Sequence, residues 1–407
     1  MTPLVSMRGA LRALFYFCAA ALAMFMAATQ ALAVLPAGWL GPTLQFRLSQ
    51  AVVLRLGMLR DGLGVWNLVI GTISAVLAIR ILWTATGHRR CAKLLIITSF
   101  LGFASAIATF AALILAVRRV GVAMFPLLPT LPFMGVGGNP DETVAFGKPG
   151  GTELRADLYL PTGDGKAHPV VVSIHGGGFT FGSRAPSAYT RFLADHGYVV
   201  MDIDYRLGTQ DAPAWRTEVA DVGCALTWVG THATQYDMEP AKVAIFGESA
   251  GGNLAINAAY MANNATLEPA CGTAAEIPNV RAAIGGFPAV DLTRGTRLTA
   301  IGRLVGRNYI GGSPEQYPEA YARVDSATQI SAKSPPTLIF QGSRDHLVIV
   351  DPVRDFATLL SARGVVNSYV EYPGLDHGCG DAGNVLTYGT AASRLLILRW
   401  LNTYLKS

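Results

Sequence analysis

The chain has 407 residues, 51% of them hydrophobic and only 14% charged, with a formal net charge of +5. Soluble domains carry roughly 25% charged residues, so part of this chain is more apolar than a water-soluble fold requires. The positive excess forms no long Lys/Arg run. Instead Arg89-Arg90 and Arg118-Arg119 flank apolar stretches, as in membrane proteins, which argues for a membrane and against nucleic acid as a partner. The cysteines are Cys18, Cys91, Cys224, Cys271 and Cys379; the number is odd and no spacing suits a metal, so neither a metal site nor a disulfide framework is expected.

Residues 1–123 form an N-terminal membrane region with apolar spans at about 13–35, 63–83 and 94–117. Each reaches the roughly 20 residues an α-helix needs to cross a bilayer. Polar residues inside them are small or neutral (Thr29, Gln30, Asn67, Thr72, Ser74, Ser99, Ser105, Thr109), apart from Arg80, close enough to an end to snorkel. Arg47, Arg55 and Arg60 interrupt residues 45–61, which read as an interfacial helix. The first stretch fits a second role as well. Arg8 and Arg12 would serve as the positive region, and Ala31-Leu32-Ala33 as the cleavage site, of a signal peptide. Basic residues tie in number on the two sides of the spans. The tightest clusters, the N-terminus and residues 84–93, place the remainder of the chain outside the cytoplasm under either role. Residues 124–141 carry Pro126, Pro129, Pro132 and Pro140 among glycines and read as a linker.

From residue 142 to 407 short β-branched runs alternate with helical segments, the pattern of a mainly parallel sheet with helices on both faces. A hairpin at 143–146 and 153–160 opens it. Buried strands follow at 169–174, 198–203, 242–246, 280–285, 337–341 and 368–372, with helices at 188–196, 214–231, 250–263, 352–363 and 391–405. Chemistry in such sheets gathers at the carboxyl ends of the strands.

Gly247-Glu248-Ser249-Ala250-Gly251 lies between a strand and a helix. That context makes G-x-S-x-G a nucleophile elbow, in which a tight turn exposes the serine oxygen and the helix N-terminus favours developing negative charge. His175-Gly176-Gly177-Gly178 ends another strand. The amides of Gly177 and Gly178, with that of Ala250, are positioned to hold an oxyanion, while His175 is expected to brace the loop. A serine needs a base. His377, in Gly374-Leu375-Asp376-His377-Gly378, follows the last strand and precedes the final helix, where this fold keeps it. Asp345, in Gly342-Ser343-Arg344-Asp345, follows the preceding strand and is the expected acid.

His-Gly-Gly-Gly-Phe, Asp204-Tyr205-Arg206, Gly-Glu-Ser-Ala-Gly-Gly-Asn, Gly-Ser-Arg-Asp and Asp-His-Gly occur in that order. Together they resemble the esterase/lipase branch of the α/β-hydrolases, near the hormone-sensitive-lipase-like and acetyl-esterase-like families. The resemblance implies the α/β-hydrolase fold, a Ser249–Asp345–His377 triad, an oxyanion loop at Gly177 and Gly178, and carboxylic-ester substrates, with no metal or cofactor. The chain departs from that pattern at Leu207-Gly208-Thr209, where proline-glutamate is usual, at Glu248, where aspartate is commoner, and in its membrane region.

Residues 291–334 interrupt the strand–helix rhythm and read as a small lid, with Tyr309 and Leu304 as candidates to shape an acyl pocket. The expected function is a membrane-anchored serine carboxylesterase acting on short- to medium-chain esters, either small molecules or lipids. The alternatives are a lipid or cell-envelope deacylase or acyltransferase, an isoprenylcysteine-methylesterase-like enzyme, and a non-catalytic ligand-binding membrane protein.

Overall fold

Apolar length decides the N-terminal architecture. In the computed structural model, which describes residues 3–35, 37–84, 89–124, 137–163, 165–272, 276–381 and 386–406, this region is helical. Its helices are α1 (Pro3–Val34), the short α2 (Gly41–Leu44), α3 (Arg47–Leu63), α4 (Trp66–Thr84) and α5 (Arg89–Arg119). Three of them are long and apolar enough to cross a membrane, over Gly9–Val34, Trp66–Trp83 and Arg90–Arg119. At about 1.5 Å per residue, even the shortest reaches about 27 Å. They pack on one another through small residues: a Cβ on Gly102 would lie 2.9 Å from Met26 Cβ, and one on Gly71 would lie 3.1 Å from the Phe103 ring. Close approach of this kind replaces the hydrophobic effect between helices in lipid, and the buried Ser74–Ser99 hydroxyl pair (2.7 Å) adds a polar contact.

The helix α3 is amphipathic with its faces reversed. It buries Gln50, Gly57, Arg60 and Asp61 and leaves Leu48, Val52, Met58 and Leu59 exposed. Buried polar and exposed apolar residues are the informative exceptions to ordinary burial. A helix lying at a lipid interface against a polar protein surface would show this arrangement.

The remaining chain forms β1 (Glu142–Gly147), β2 (Leu154–Tyr159), β3 (His168–Ile174), α6 (Thr190–Asp195), β4 (Val199–Ile203), α7 (Glu218–Thr231), β5 (Met238–Glu248), α8 (Ala250–Asn263), β6 (Val280–Gly286), α9 (Leu292–Leu298), α10 (Ala300–Ile310), α11 (Pro318–Val324), β7 (Thr337–Gly342), α12 (Val350–Ala362), β8 (Asn367–Tyr372) and α13 (Tyr388–Leu405). The strands make one eight-stranded sheet in the order β1-β2-β4-β3-β5-β6-β7-β8. β2 pairs antiparallel with β1 and β4, and every later pairing is parallel. This is the α/β-hydrolase fold. Alternate residues of each strand serve opposite faces: Val170 and Val172 enter the core under α7 and α8, whereas Val171 enters the one under α6 and α13. The second core also receives Leu113 and Val117 from the last turns of α5, so the helical region is docked on the sheet.

The expected elements are recovered with shifted ends. α7 starts at Glu218, not at 214, because residues 214–217 form a turn closed by Thr217 Oγ1 donating to Ala214 O (3.0 Å). Of the expected linker 124–141, residues 125–136 lie outside the described residues. The cysteine expectation is corrected: Cys224 and Cys271 are disulfide-bonded, with Cα atoms 5.7 Å apart. The bridge ties α7 to the loop after α8, and an odd count concealed it because Cys18, Cys91 and Cys379 are free.

Candidate active site

Ser249 sits between β5 and α8 at φ 56°, ψ −117°. A non-glycine residue rarely holds a positive φ, and such strain persists only where the surroundings enforce it. Here they do. The Ser249 N–H donates to Gly286 O (2.8 Å), and its carbonyl accepts from Asn253 N–H (3.2 Å). A Cβ on Gly247 would overlap the Gly251 carbonyl oxygen, and one on Gly251 would overlap those of Ile174 and His175. Both glycines of the motif are therefore required by backbone contact.

The loops after β7 and β8 bring the expected partners to this oxygen. His377 Nε2 lies 3.0 Å from Ser249 Oγ, and His377 Nδ1 lies 2.8 Å from Asp345 Oδ2. Asp345 is fully buried. Its Oδ1 accepts from the Leu347 and Val348 amides, each at 2.8 Å, and its Oδ2 also accepts from Gln341 Nε2 at 2.9 Å. With the carboxylate pinned in this way, Nδ1 carries the proton and Nε2 is left free to accept one. Burial works against the imidazolium, but the Asp345 carboxylate, with Asp376 behind it, outweighs that and holds the His377 pKa above its ordinary value of 6.5. The neighbouring Asp376 has a different task. Its Oδ1 accepts from the His377 amide (2.7 Å), and its Oδ2 faces the ring nitrogen Nδ1 of buried His346 (2.6 Å).

The loop after β3 is built around glycine. Gly177 and Gly178 hold φ of 129° and 55°, and a Cβ on Gly177 would overlap the Phe181 carbonyl oxygen. His175 braces this loop: its ring stacks on Tyr205 with centroids 4.3 Å apart, Nδ1–H donates to Gly176 O (2.6 Å), and burial lowers its pKa. Tyr205 returns a hydroxyl to His175 O (3.1 Å). Its neighbours in the Asp-Tyr-Arg motif anchor it, Asp204 through an ion pair with Arg184 and Arg206 through a fork on Asp221 (2.6 Å). Gly178 and Ala250 line the pocket beside Ser249, with Gly177 adjoining them in the loop.

That pocket encloses roughly 600 Å³ of space between atoms, the open solvent at its mouth included. Its walls are apolar, with Leu292, Leu298, Gly302 and Val305 from α9 and α10, and Val348 and Val353 opposite. Tyr309 is buried and stacked on Phe179 at 3.8 Å, and neither it nor Leu304 lines the cavity. Gly295 and Val305 are among the residues that do bound the pocket. Space is open around a Cβ at Gly295. Gly295→Leu and Val305→Phe should shorten the longest accepted acyl chain, each removing the space of several methylenes at about 0.8 kcal/mol apiece. A set of p-nitrophenyl esters of increasing chain length measures this, and an unchanged profile would remove these positions from the acyl wall.

Sequence reasoning did not anticipate Gln341, the Asp376–His346 pair, or a face of α3 in contact with the histidine loop. Only the last has a sequence trace: Gln50, Gly57 and Asp61 recur at helical spacing in a segment otherwise flanked by spans.

Comparison with known proteins agrees with this fold. The sequence pattern of the BD-FAE family matches residues 156–360, half of the chain. Esterase LipC of Mycobacterium tuberculosis is 29% identical over 254 residues, which cover 59% of each chain. Isoprenylcysteine alpha-carbonyl methylesterase ICME of Arabidopsis thaliana is 26% identical over 231 residues, 55% of this chain and 53% of that protein. The chain thus spans less than two thirds of the length of these curated relatives. Among solved structures, the apo form of Thermogutta terrifontis esterase 2 aligns with a TM-score of 0.52 at 26% identity, over 64% of this chain and 93% of that one. The chain belongs to the BD-FAE family and has the fold of the α/β-hydrolase esterases and lipases.

Proposed function

We propose that the protein is a membrane-anchored serine carboxylesterase acting on short- to medium-chain esters. The observation that carries the reading is the hydrogen-bonded series Asp345–His377–Ser249, which ends at the mouth of an apolar pocket. His377 Nε2 takes the Ser249 proton as Oγ attacks the ester carbonyl carbon. The Gly177, Gly178 and Ala250 amides hold the oxyanion of the tetrahedral intermediate, each worth about 2.7–4 kcal/mol of barrier. Collapse breaks the bond to the leaving oxygen, which His377 protonates, and leaves acyl-Ser249. Water then attacks with His377 again as base, and the proton returns to Oγ as the carboxylic acid departs.

The three apolar helices supply the anchor. The catalytic domain, residues 142–407 with 291–334 as its lid, lies outside the cytoplasm in this reading. The Cys224–Cys271 bridge supports that side, since disulfides persist in oxidising compartments. A second reading, an ester hydrolase for lipid-modified substrates, is favoured by the exposed apolar face of α3 and by the similarity to the isoprenylcysteine methylesterase.

The test is hydrolysis of p-nitrophenyl esters of graded length by the full chain in detergent, with fluorophosphonate labelling alongside. Turnover of short chains and a labelled serine support the carboxylesterase. Turnover only of esters presented in lipid micelles selects the second reading. Product analysis with added alcohols separates hydrolysis from acyl transfer, and absence of both turnover and label would sink the enzyme reading.

A further inference from the structure

We infer that α3 is a positioning element of the catalytic site, with Asp61 and Gly57 fixing the loop that carries His377 and Gln50 joining the loop that carries Asp345 to the pocket wall. The inference rests on the serine-esterase reading and adds to it residues from the membrane region, more than 300 positions away in the chain from the histidine loop.

Asp61 Oδ2 accepts the Asp376 backbone N–H at 2.6 Å, immediately before His377. The Asp376 carboxylate then receives the His377 N–H (2.7 Å) and the His346 N–H (3.0 Å), so one hydrogen-bonded path runs from α3 to the base and to the residue after the acid. Arg60 closes the other side. It donates Nη2 to Gly374 O (2.6 Å) and Nε to Asp61 Oδ1 (2.7 Å), and its own carbonyl is held by Asn67 at the start of α4 (2.7 Å). Both charged side chains are almost entirely buried. A buried ion pair is costly to desolvate and often no better for stability than apolar packing, yet here each partner also makes one hydrogen bond to the backbone of the histidine loop.

Gly57 lies on the same face, and any Cβ there would overlap the Asp376 carboxylate. Close backbone approach, not flexibility, explains this glycine. Two turns further back, Gln50 donates Nε2 to His346 O (2.9 Å) and accepts from Ile301 N–H (2.7 Å). Ile301 opens α10, which carries Gly302 and Val305 of the pocket wall. A displacement of α3 therefore moves the base and the acyl wall together.

The experiment compares full-length wild type, Asp61→Ala, Asp61→Asn, Gly57→Val and the exposed-face control Arg55→Ala in one detergent. The readouts are kcat and KM for p-nitrophenyl acetate, the rate of fluorophosphonate labelling and the melting temperature. A misplacement near 1 Å costs about a hundredfold. Asp61→Ala and Gly57→Val should lose about that much in kcat and in labelling rate, with KM within about twofold and a folded fraction like that of wild type. Asp61→Asn, which still offers an oxygen to the Asp376 N–H, should recover at least about tenfold of the loss, and Arg55→Ala should match wild type. Wild-type kcat in Asp61→Ala would overturn the inference, as would losses in both Asp61 variants that merely follow the folded fraction. A wild type that neither turns over ester nor takes the label would instead overturn the serine-esterase reading.

Discussion

Replacing Ser249 by alanine is expected to lower kcat for ester hydrolysis by about 10⁶-fold and to abolish fluorophosphonate labelling, while the melting temperature stays near that of wild type. The size follows from how such groups act as a unit: with the nucleophile gone, the base has no proton to take, and only binding and oxyanion stabilisation remain. The folded state should tolerate the change. The hydroxyl is small, the backbone at φ 56° is as strained for alanine as for serine, and the hydrogen bonds to Gly286 and Asn253 use the Ser249 main chain. Ester turnover at the wild-type level by the purified variant would mean that Ser249 is not the nucleophile.

Asp345→Asn carries the second-largest expected loss, about 10⁴-fold in kcat, because a neutral amide neither fixes the His377 tautomer nor stabilises the imidazolium. It also makes a signed prediction in pH. His377 works as a base only when neutral, and its pKa is raised, so wild-type kcat/KM falls as pH drops through a value above 6.5. Asp345 is the largest influence raising that pKa, opposed by burial. Its neutralisation should therefore move the acid limb to lower pH while the plateau collapses. A plateau that drops with the limb unmoved would show that Asp345 acts on folding and not on the histidine.

Both residues could be singled out in the sequence as candidates because the elements that carry them obey local rules. Gly247 and Gly251 are dictated by carbonyls within a few ångströms of their Cα atoms, and the motif they frame is recognisable without any long-range contact. The strands were legible for the same reason: β-branched runs such as Pro-Val-Val-Val-Ser-Ile are buried on both faces and leave little choice of conformation. What was not legible depends on pairing across distance. Cys224 and Cys271 meet only because α7 packs beside the loop after α8, and nothing in an odd cysteine count singles them out. The acyl wall was misassigned to Tyr309 because an aromatic residue in a lid-like segment suggests a pocket. Stacking on Phe179 draws it into the core instead. The polar stripe of α3 reads locally as an interruption between spans; its meaning lies in a backbone amide and two carbonyls supplied by distant loops.

The last turns of α5 have a consequence for shedding. Leu113 and Val117 are fully buried against the sheet side that holds Tyr372, Leu375 and Leu396, and Phe110 meets the edge of Tyr388 with ring centroids 5.6 Å apart. A protease that cut the chain just before residue 137 would not release a tidy soluble hydrolase. It would strip an apolar cover from the second core and expose a greasy scar where α5 had packed, of the kind that drives aggregation. The N-terminal helices are thus also a cover on the underside of the enzyme, and a cut at the connection would put the integrity of the second core at risk.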